Sequence, residues 1–384
     1  MTLNLKDYQI GELLFESLKT VVYRGTRNSD GLKVMIKTIA DPRPSKAEIA
    51  AYHHQYSIIK SIDSKYVIKA LDIVNADYKP ALILESFSDT NLADFIKTSP
   101  PLNLEYCLKI AIALVKALDE IHKKSVIHKD ICPHNVLIDT QTGEVKIIDF
   151  SIAITLEREH MESNVKGFIE GSLQYMSPEQ TGRMNRSLDY RTDFYSLGVT
   201  LYELLTLERP FTASDILGYV HAHIAVVPKP VNNLNPQIPE PLANVIGKLL
   251  EKSADDRYQS ARGLLVDLQY CLQEIQQKNT ISPFKPGLKD ISERFEIPQK
   301  LYGREQQLKE ITGLFDRVRG GGVEFLMVGG FSGIGKSSLI SELYKSIITN
   351  KGFFIKGNFE QFSRDLPYTS LSQALSELSE QILS

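Results

Sequence analysis

Apolar residues recur along most of this chain in two periods, and the periods set out its elements. Short apolar runs at Tyr8 to Glu12, Thr20 to Arg24, Leu32 to Lys37 and Ala81 to Leu84 predict strands, with a helix over Lys46 to Ser61 between the third and fourth. From Leu104 to His122 the spacing is helical, and Ile110, Ala113, Leu114, Ala117, Leu118 and Ile121 form its core-facing stripe, with Cys107 in the same packing. Two further runs, Val136 to Ile138 and Val145 to Ile148, flank a Thr-Gly turn in the manner of a hairpin. Helical patterns then fill Phe194 to Leu207, Ala213 to His223, Pro241 to Glu251 and Ala261 to Gln276. The Pro-rich stretch V-P-K-P-V-N-N-L-N-P-Q-I-P reads as a connector among them.

Chemistry gathers at the hairpin. Asp130 and Asn135 stand just before its first strand and Asp149 just after its second, so two acids and an amide share one end of a small sheet. Phosphoryl transfer to a hydroxyl requires such a set: one acid to orient the hydroxyl and accept its proton, and oxygen ligands to hold Mg²⁺ against nucleotide phosphates. In H-K-D-I-C-P-H-N followed by D-F-S, the chain resembles the catalytic loop and metal-binding segment of the eukaryotic-type protein kinase family.

That resemblance implies an α+β bilobal protein kinase fold over residues 1–275, using ATP with Mg²⁺ or Mn²⁺ and taking a protein hydroxyl as acceptor. Asp130 becomes the catalytic acid-base residue, Asn135 and Asp149 the metal ligands, and Lys37, closing V-M-I-K, the ammonium among the first phosphates. Aligning Val22 with the valine after the nucleotide-covering loop puts Phe15, Ser17 and Thr20 where the family has glycines, with Ser17 and Thr20 offering hydroxyl donors. Gln55 falls where an acid would pair with Lys37, leaving Glu48 a surface acid and His53 and His54 solvent-facing. Glu85, Ser86 and Phe87 match the hinge whose backbone reads adenine, behind which Leu84 controls access.

Within the catalytic loop, His128 is expected to pack beneath the backbone and Lys129 to keep a charge without the planar fork of arginine. Cys132 replaces the lysine that steadies the transferred phosphate, as a small filler. The activation segment, Asp149 to Glu179, has a charged middle expected to be a mobile loop. Its end, Gly171 to Glu179, resembles the family's substrate-docking loop and points to Ser/Thr acceptors. Ser172 is expected to bond toward the catalytic acid, Glu179 to pair with Arg257, and Asp193 to cap backbone donors beneath the catalytic loop. The departures at the loop glycines, Gln55 and Cys132 support a second reading, a pseudokinase acting as a nucleotide-responsive interaction and regulatory module.

Composition shifts to a Pro/Gly-marked linker at 276–300. Beyond it, Leu301 to Glu305 opens a helix, Glu324 to Val328 reads as a buried strand, and G-x-x-x-x-G-K-S follows at once. Gly330, Gly333 and Gly335 would cradle phosphates with their backbone, Lys336 would reach the terminal ones, and Ser337 would sit on Mg²⁺. With Y-G-R-E and G-F-F-I-K-G-N-F-E-Q-F, residues 301–384 resemble the N-terminal part of an α/β P-loop NTPase domain of the AAA-like signal-transduction type. The pairing is similar to large cyanobacterial sensory kinases, in which sensor and histidine-kinase modules lie downstream. The end at Ser384, inside a helical pattern, reads as a fragment of something longer.

Composition narrows the partners. A net charge of -3 over 384 residues argues against a dedicated nucleic-acid binder. Cys107, Cys132 and Cys271 lack metal or redox spacing, and no apolar run is long enough for a membrane span or signal peptide, so a reducing, cytoplasmic setting is expected.

Overall fold

The computed structural model describes residues 5–76, 79–98, 103–156, 170–182, 188–291, 303–331, 334–336, 339–340, 342–343, 347, 352–357 and 368–383. Strands β1 (Tyr8–Glu16), β2 (Thr20–Arg27), β3 (Lys33–Ile39), β4 (Ala70–Ala76) and β5 (Lys79–Glu85) form an antiparallel sheet ordered β1-β2-β3-β5-β4. Two of the three inner strands, β3 and β5, are covered on both faces, which is why they read as continuous apolar runs. Val34, Ile36, Ala81 and Ile83 face one way, onto Leu5 and Tyr8, while the alternate residues Met35, Leu82 and Leu84 join the main core. Helix α1 (Lys46–Ser61) packs on that second face, its start fixed by a capping box in which Ser45 and Glu48 satisfy each other's backbone amides.

The larger lobe is helical. Its elements are α2 (Leu92–Thr98), α3 (Leu104–Lys123), α4 (Arg191–Thr206), α5 (Ile216–Ala225), α6 (Val231–Leu234), α7 (Glu240–Leu249) and α8 (Ala261–Lys278). Helix α3 lies along α8 and also contacts α4, burying the stripe expected from its spacing. Short strands β6 (Val126–Ile127), β7 (Val136–Ile138), β8 (Val145–Ile147) and β9 (Ile154–Thr155) pair as β7–β8 and β6–β9. The β7–β8 pair forms the expected hairpin, with Leu137 opposite Lys146. The Pro-rich connector is not wholly irregular, because Val231 is buried and draws α6 out of it.

Of the linker expected over 276–300, residues 276–278 continue α8 and 280–291 lie against it. Ile281 is buried, and Phe284 meets Tyr270 edge-on at 5.1 Å. Asp290 accepts from the Gln259 amide at 2.6 Å and the Ser260 hydroxyl at 2.7 Å, so it holds the residue that caps α8. Only glycine fits at 263, where a Cβ would lie 2.3 Å from the Asp290 carboxylate.

Farther on, α9 (Glu305–Arg319) and α10 (Thr369–Leu383) are helical. Here the strand expected at Glu324 to Val328 is corrected: these residues belong to no strand, and Phe325 and Met327 are 86% and 80% exposed. An apolar run becomes a buried parallel strand only where neighbours hydrogen-bond it on its edges, and none does among the described residues. Among those residues, no helix is long and apolar enough to cross a membrane.

Candidate active site

The site lies where the hairpin meets the sheet. Asp130 is gripped from two sides: the Ser172 amide donates to Oδ1 at 2.8 Å, and Asn135 Nδ2 donates to Oδ2 at 2.8 Å and to the Asp130 carbonyl at 2.9 Å. Asn135 in turn accepts the Ile148 amide at 2.9 Å, which ties the catalytic loop to the residue before Asp149. The expected bond from Ser172 therefore comes from its backbone, while its hydroxyl reaches Cys132 Sγ at 3.7 Å.

Beneath the loop, the buried Asp193 carboxylate accepts the amides of His128 and Lys129, each at 2.9 Å, and lies 2.8 Å from His122 Nε2. His128 accepts the Asp130 amide at Nδ1 and its Nε2 lies 3.0 Å from the Ile148 carbonyl, so both ring nitrogens are bonded to backbone. Its ring meets fully buried Phe150 edge-on at 4.6 Å. Lys129 and Asp149 both adopt left-handed backbone, φ 68° and 60°, which non-glycine residues tolerate only where surroundings impose it.

Lys37 is buried and donates to Asp149 Oδ1 at 2.8 Å, the same oxygen that Gln55 Nε2 approaches at 3.3 Å. Gln55 thus bonds to the partner of Lys37, while Glu48 is occupied at the start of α1. Burial pushes the Asp149 carboxyl up, but the Lys37 charge and hydrogen bonds from Lys37 and Ser151 together outweigh it and hold the group at about 2. Ser17 is consumed in the tip between β1 and β2: its oxygen accepts the Thr20 amide at 3.0 Å and its hydroxyl donates to the Thr20 carbonyl at 3.2 Å. Thr20 lies 3.4 Å from the Tyr52 hydroxyl, Phe15 is exposed, and Val22 sits opposite Lys37 in the sheet.

At the hinge, the Glu85 side chain binds Lys146 at 2.5 Å and the Lys69 amide at 2.8 Å, and Lys146 also lies 5.1 Å from the Phe87 ring centre. Glu179 and Arg257 form a buried bidentate pair at 2.6 and 2.9 Å, as the sequence suggests, and Thr192 donates to the same carboxylate.

Four contributors escape sequence reasoning. Tyr52 stands between Thr20 and Lys37, its ring centre 6.0 Å from the ammonium. Gln180 donates to the Lys129 carbonyl at 2.6 Å while accepting the Ser177 amide. Glu170 pairs with Lys129 at 2.8 Å, and Arg24 of β2 pairs with Asp89 beyond the hinge. For Tyr52 a signal existed, since it lies one helical turn before Gln55 on the same face of α1.

The donor set suits Mg²⁺ and a nucleotide. Asp149 is ionised and about a third exposed at 35%, and Asn135 has its amide nitrogen committed to Asp130, which leaves an oxygen as its acceptor. These are hard oxygen ligands, few in number, as a metal that also uses phosphate oxygens requires. In the second segment, Lys336 folds back on the carbonyls of Gly330 and Phe331 at 2.9 and 2.8 Å. Gly330 and Gly335 carry φ of 159° and 89°, whereas Gly333 and Ser337 lie outside the described residues.

A five-stranded lobe thus sits on a helical lobe, and Asp130, Asn135, Asp149 and Lys37 converge where they meet. The protein kinase domain family matches residues 9–267, and the chain belongs to that family. The AAA ATPase domain family matches residues 300–384. A hybrid signal transduction histidine kinase of Dictyostelium discoideum is 33% identical across 72% of this chain. Probable serine/threonine-protein kinases of Clostridium perfringens and Streptomyces coelicolor are 31% and 29% identical across 68% and 69% of it. The chain spans only 10%, 38% and 40% of the lengths of these three proteins.

Proposed function

We propose that this chain is an ATP- and Mg²⁺-dependent Ser/Thr protein kinase carrying an AAA-like nucleotide-binding module, within a larger cytoplasmic signalling protein. The observation that carries the reading is the double grip on Asp130, by the Ser172 amide and the Asn135 side chain. It fixes the carboxylate to accept a proton from a substrate hydroxyl lying along the docking segment. Lys37 orients the nucleotide phosphates, and Asn135 and Asp149 hold Mg²⁺, which when bound neutralises charge on those phosphates. The likeness to a hybrid histidine kinase supports further sensor or histidine-kinase modules as downstream partners.

A second reading, a regulatory pseudokinase, is favoured by one cluster of observations: no lysine stands at Cys132, Gln55 is neutral, and the Ser17 hydroxyl is committed to its own turn. Transfer of label from the terminal phosphate of ATP to a generic protein acceptor separates the two. The full chain would carry Lys336→Ala so that the second nucleotide segment adds nothing, and Asp130→Asn would serve as control. Acid-stable label on serine or threonine, lowered about 100-fold or more in the control, is expected. A folded protein that binds nucleotide but transfers no label would establish the regulatory reading instead.

A further inference from the structure

A cavity of about 460 Å³ opens on the large lobe, away from the catalytic loop, and falls within the roughly 300–1,000 Å³ of small-molecule sites. Its walls are apolar: Tyr202 of α4, Val231 of α6, Ile246 of α7, and Pro286 of the segment that lies against α8. Four lysines line it from three stretches of chain, Lys229 before α6, Lys248 and Lys252 at the end of α7, and Lys285 beside Pro286. Against them the lining offers one acid, the exposed Glu251.

What these ammonium groups touch is telling. Lys252 donates to the Ala222 carbonyl at 3.2 Å and the Tyr195 hydroxyl at 3.4 Å, and lies 4.3 Å from the Phe211 ring centre. Lys248 donates to the Asp256 carbonyl at 3.0 Å. Lys229 and Lys285 stand exposed at the rim. Among the described residues, none of the four has a carboxylate in ion-pair range. In a chain with 47 acidic against 44 basic residues, four such charges around one apolar hollow form a local excess that an anion would relieve. Burial, with Arg257 adding to it and Glu251 opposing, draws the Lys252 ammonium down to about 7. Near neutral pH this group is therefore only partly charged, and an anion bound beside it would favour the protonated form.

We propose that this cavity binds an amphipathic anion, an apolar body bearing a carboxylate or phosphate, with the body against Ile246 and Val231 and the head group among the lysines. Neither the kinase reading nor the second nucleotide segment is needed for this site. Calorimetric titration of the full chain with dodecanoate, dodecyl phosphate, dodecanol and inorganic phosphate tests it. Two variants locate the site. Lys229→Glu combined with Lys285→Glu reverses charge at the exposed rim. Gly247→Leu fills the hollow, because a Cβ at 247 meets nothing within 4 Å, and it replaces a poor helix former.

One of the two charged alkyl ligands, or both, is expected to bind at one per chain, about ten-fold or more tighter than dodecanol and than inorganic phosphate. Their ranking identifies the head group. Each variant should weaken that binding about ten-fold or more while circular dichroism shows an unchanged fold. Equal binding of dodecanol, equal binding of inorganic phosphate, no binding at all, or binding untouched by both variants would overturn the proposal. Since no readout measures phosphate transfer, failure here leaves the kinase reading standing.

Discussion

Single residues carry two distinct loads in this chain, holding the fold and tuning the chemistry. Arg257 is fully buried and gives its donors to Glu179 and to three backbone carbonyls, those of Glu251, Arg191 and Lys252. Arg257→Met would strand the Glu179 carboxylate without its counter-charge, so a loss of about 3–5 kcal/mol in urea unfolding is expected. The cysteines make the opposite point. Burial pushes the thiols of Cys107, Cys132 and Cys271 each up to about 12, Cys132 with further help from Asp130. At neutral pH all three should resist iodoacetamide in the native protein and react only on unfolding, as read by mass spectrometry. Early modification of Cys132 would remove it from the role of filler between Ser172 and the catalytic loop.

Elements show how the site is supported from behind. His223 of α5 lies 3.0 Å from the Tyr195 hydroxyl and 2.9 Å from the Leu173 carbonyl, so a helix and the docking segment are joined through one imidazole. Burial, reinforced by Lys252, draws its titration down to about 3, which means it is neutral in the fold. The unfolded chain binds that proton at an ordinary histidine value near 6.5, so stability from His223 is complete above about 6.5 and is lost as pH falls toward 3. The urea midpoint should therefore drop between pH 7 and pH 5, and His223→Gln should flatten that slope. Such supports explain what was legible. Helix α1 occupies the range expected, and the Ser45 and Glu48 capping box fixes its start. Strand β4 was not legible, since A-L-D-I-V-N-A at the sheet edge mixes polar and apolar residues. Gln180 and Glu170 act through partners distant in sequence, and no local pattern announces them.

Across the whole molecule, the family was readable because the residues that carry the resemblance sit in short runs, whereas the packing of the chain after them was not. Composition alone placed a linker from residue 276, yet Ile281, Phe284 and Asp290 are packed on α8. A chain ending at Asn279 should accordingly unfold at lower urea than one ending at Ile291, and Asp290→Ala in the longer one should recover part of that difference. A charge that helps hold the segment from residue 170 beside Lys129 belongs to Glu170, paired with that lysine at 2.8 Å. It is an amino-acid carboxylate, not an added phosphate. No second enzyme has to install it and no phosphatase can erase it, so at this contact the protein keeps no record of past signals.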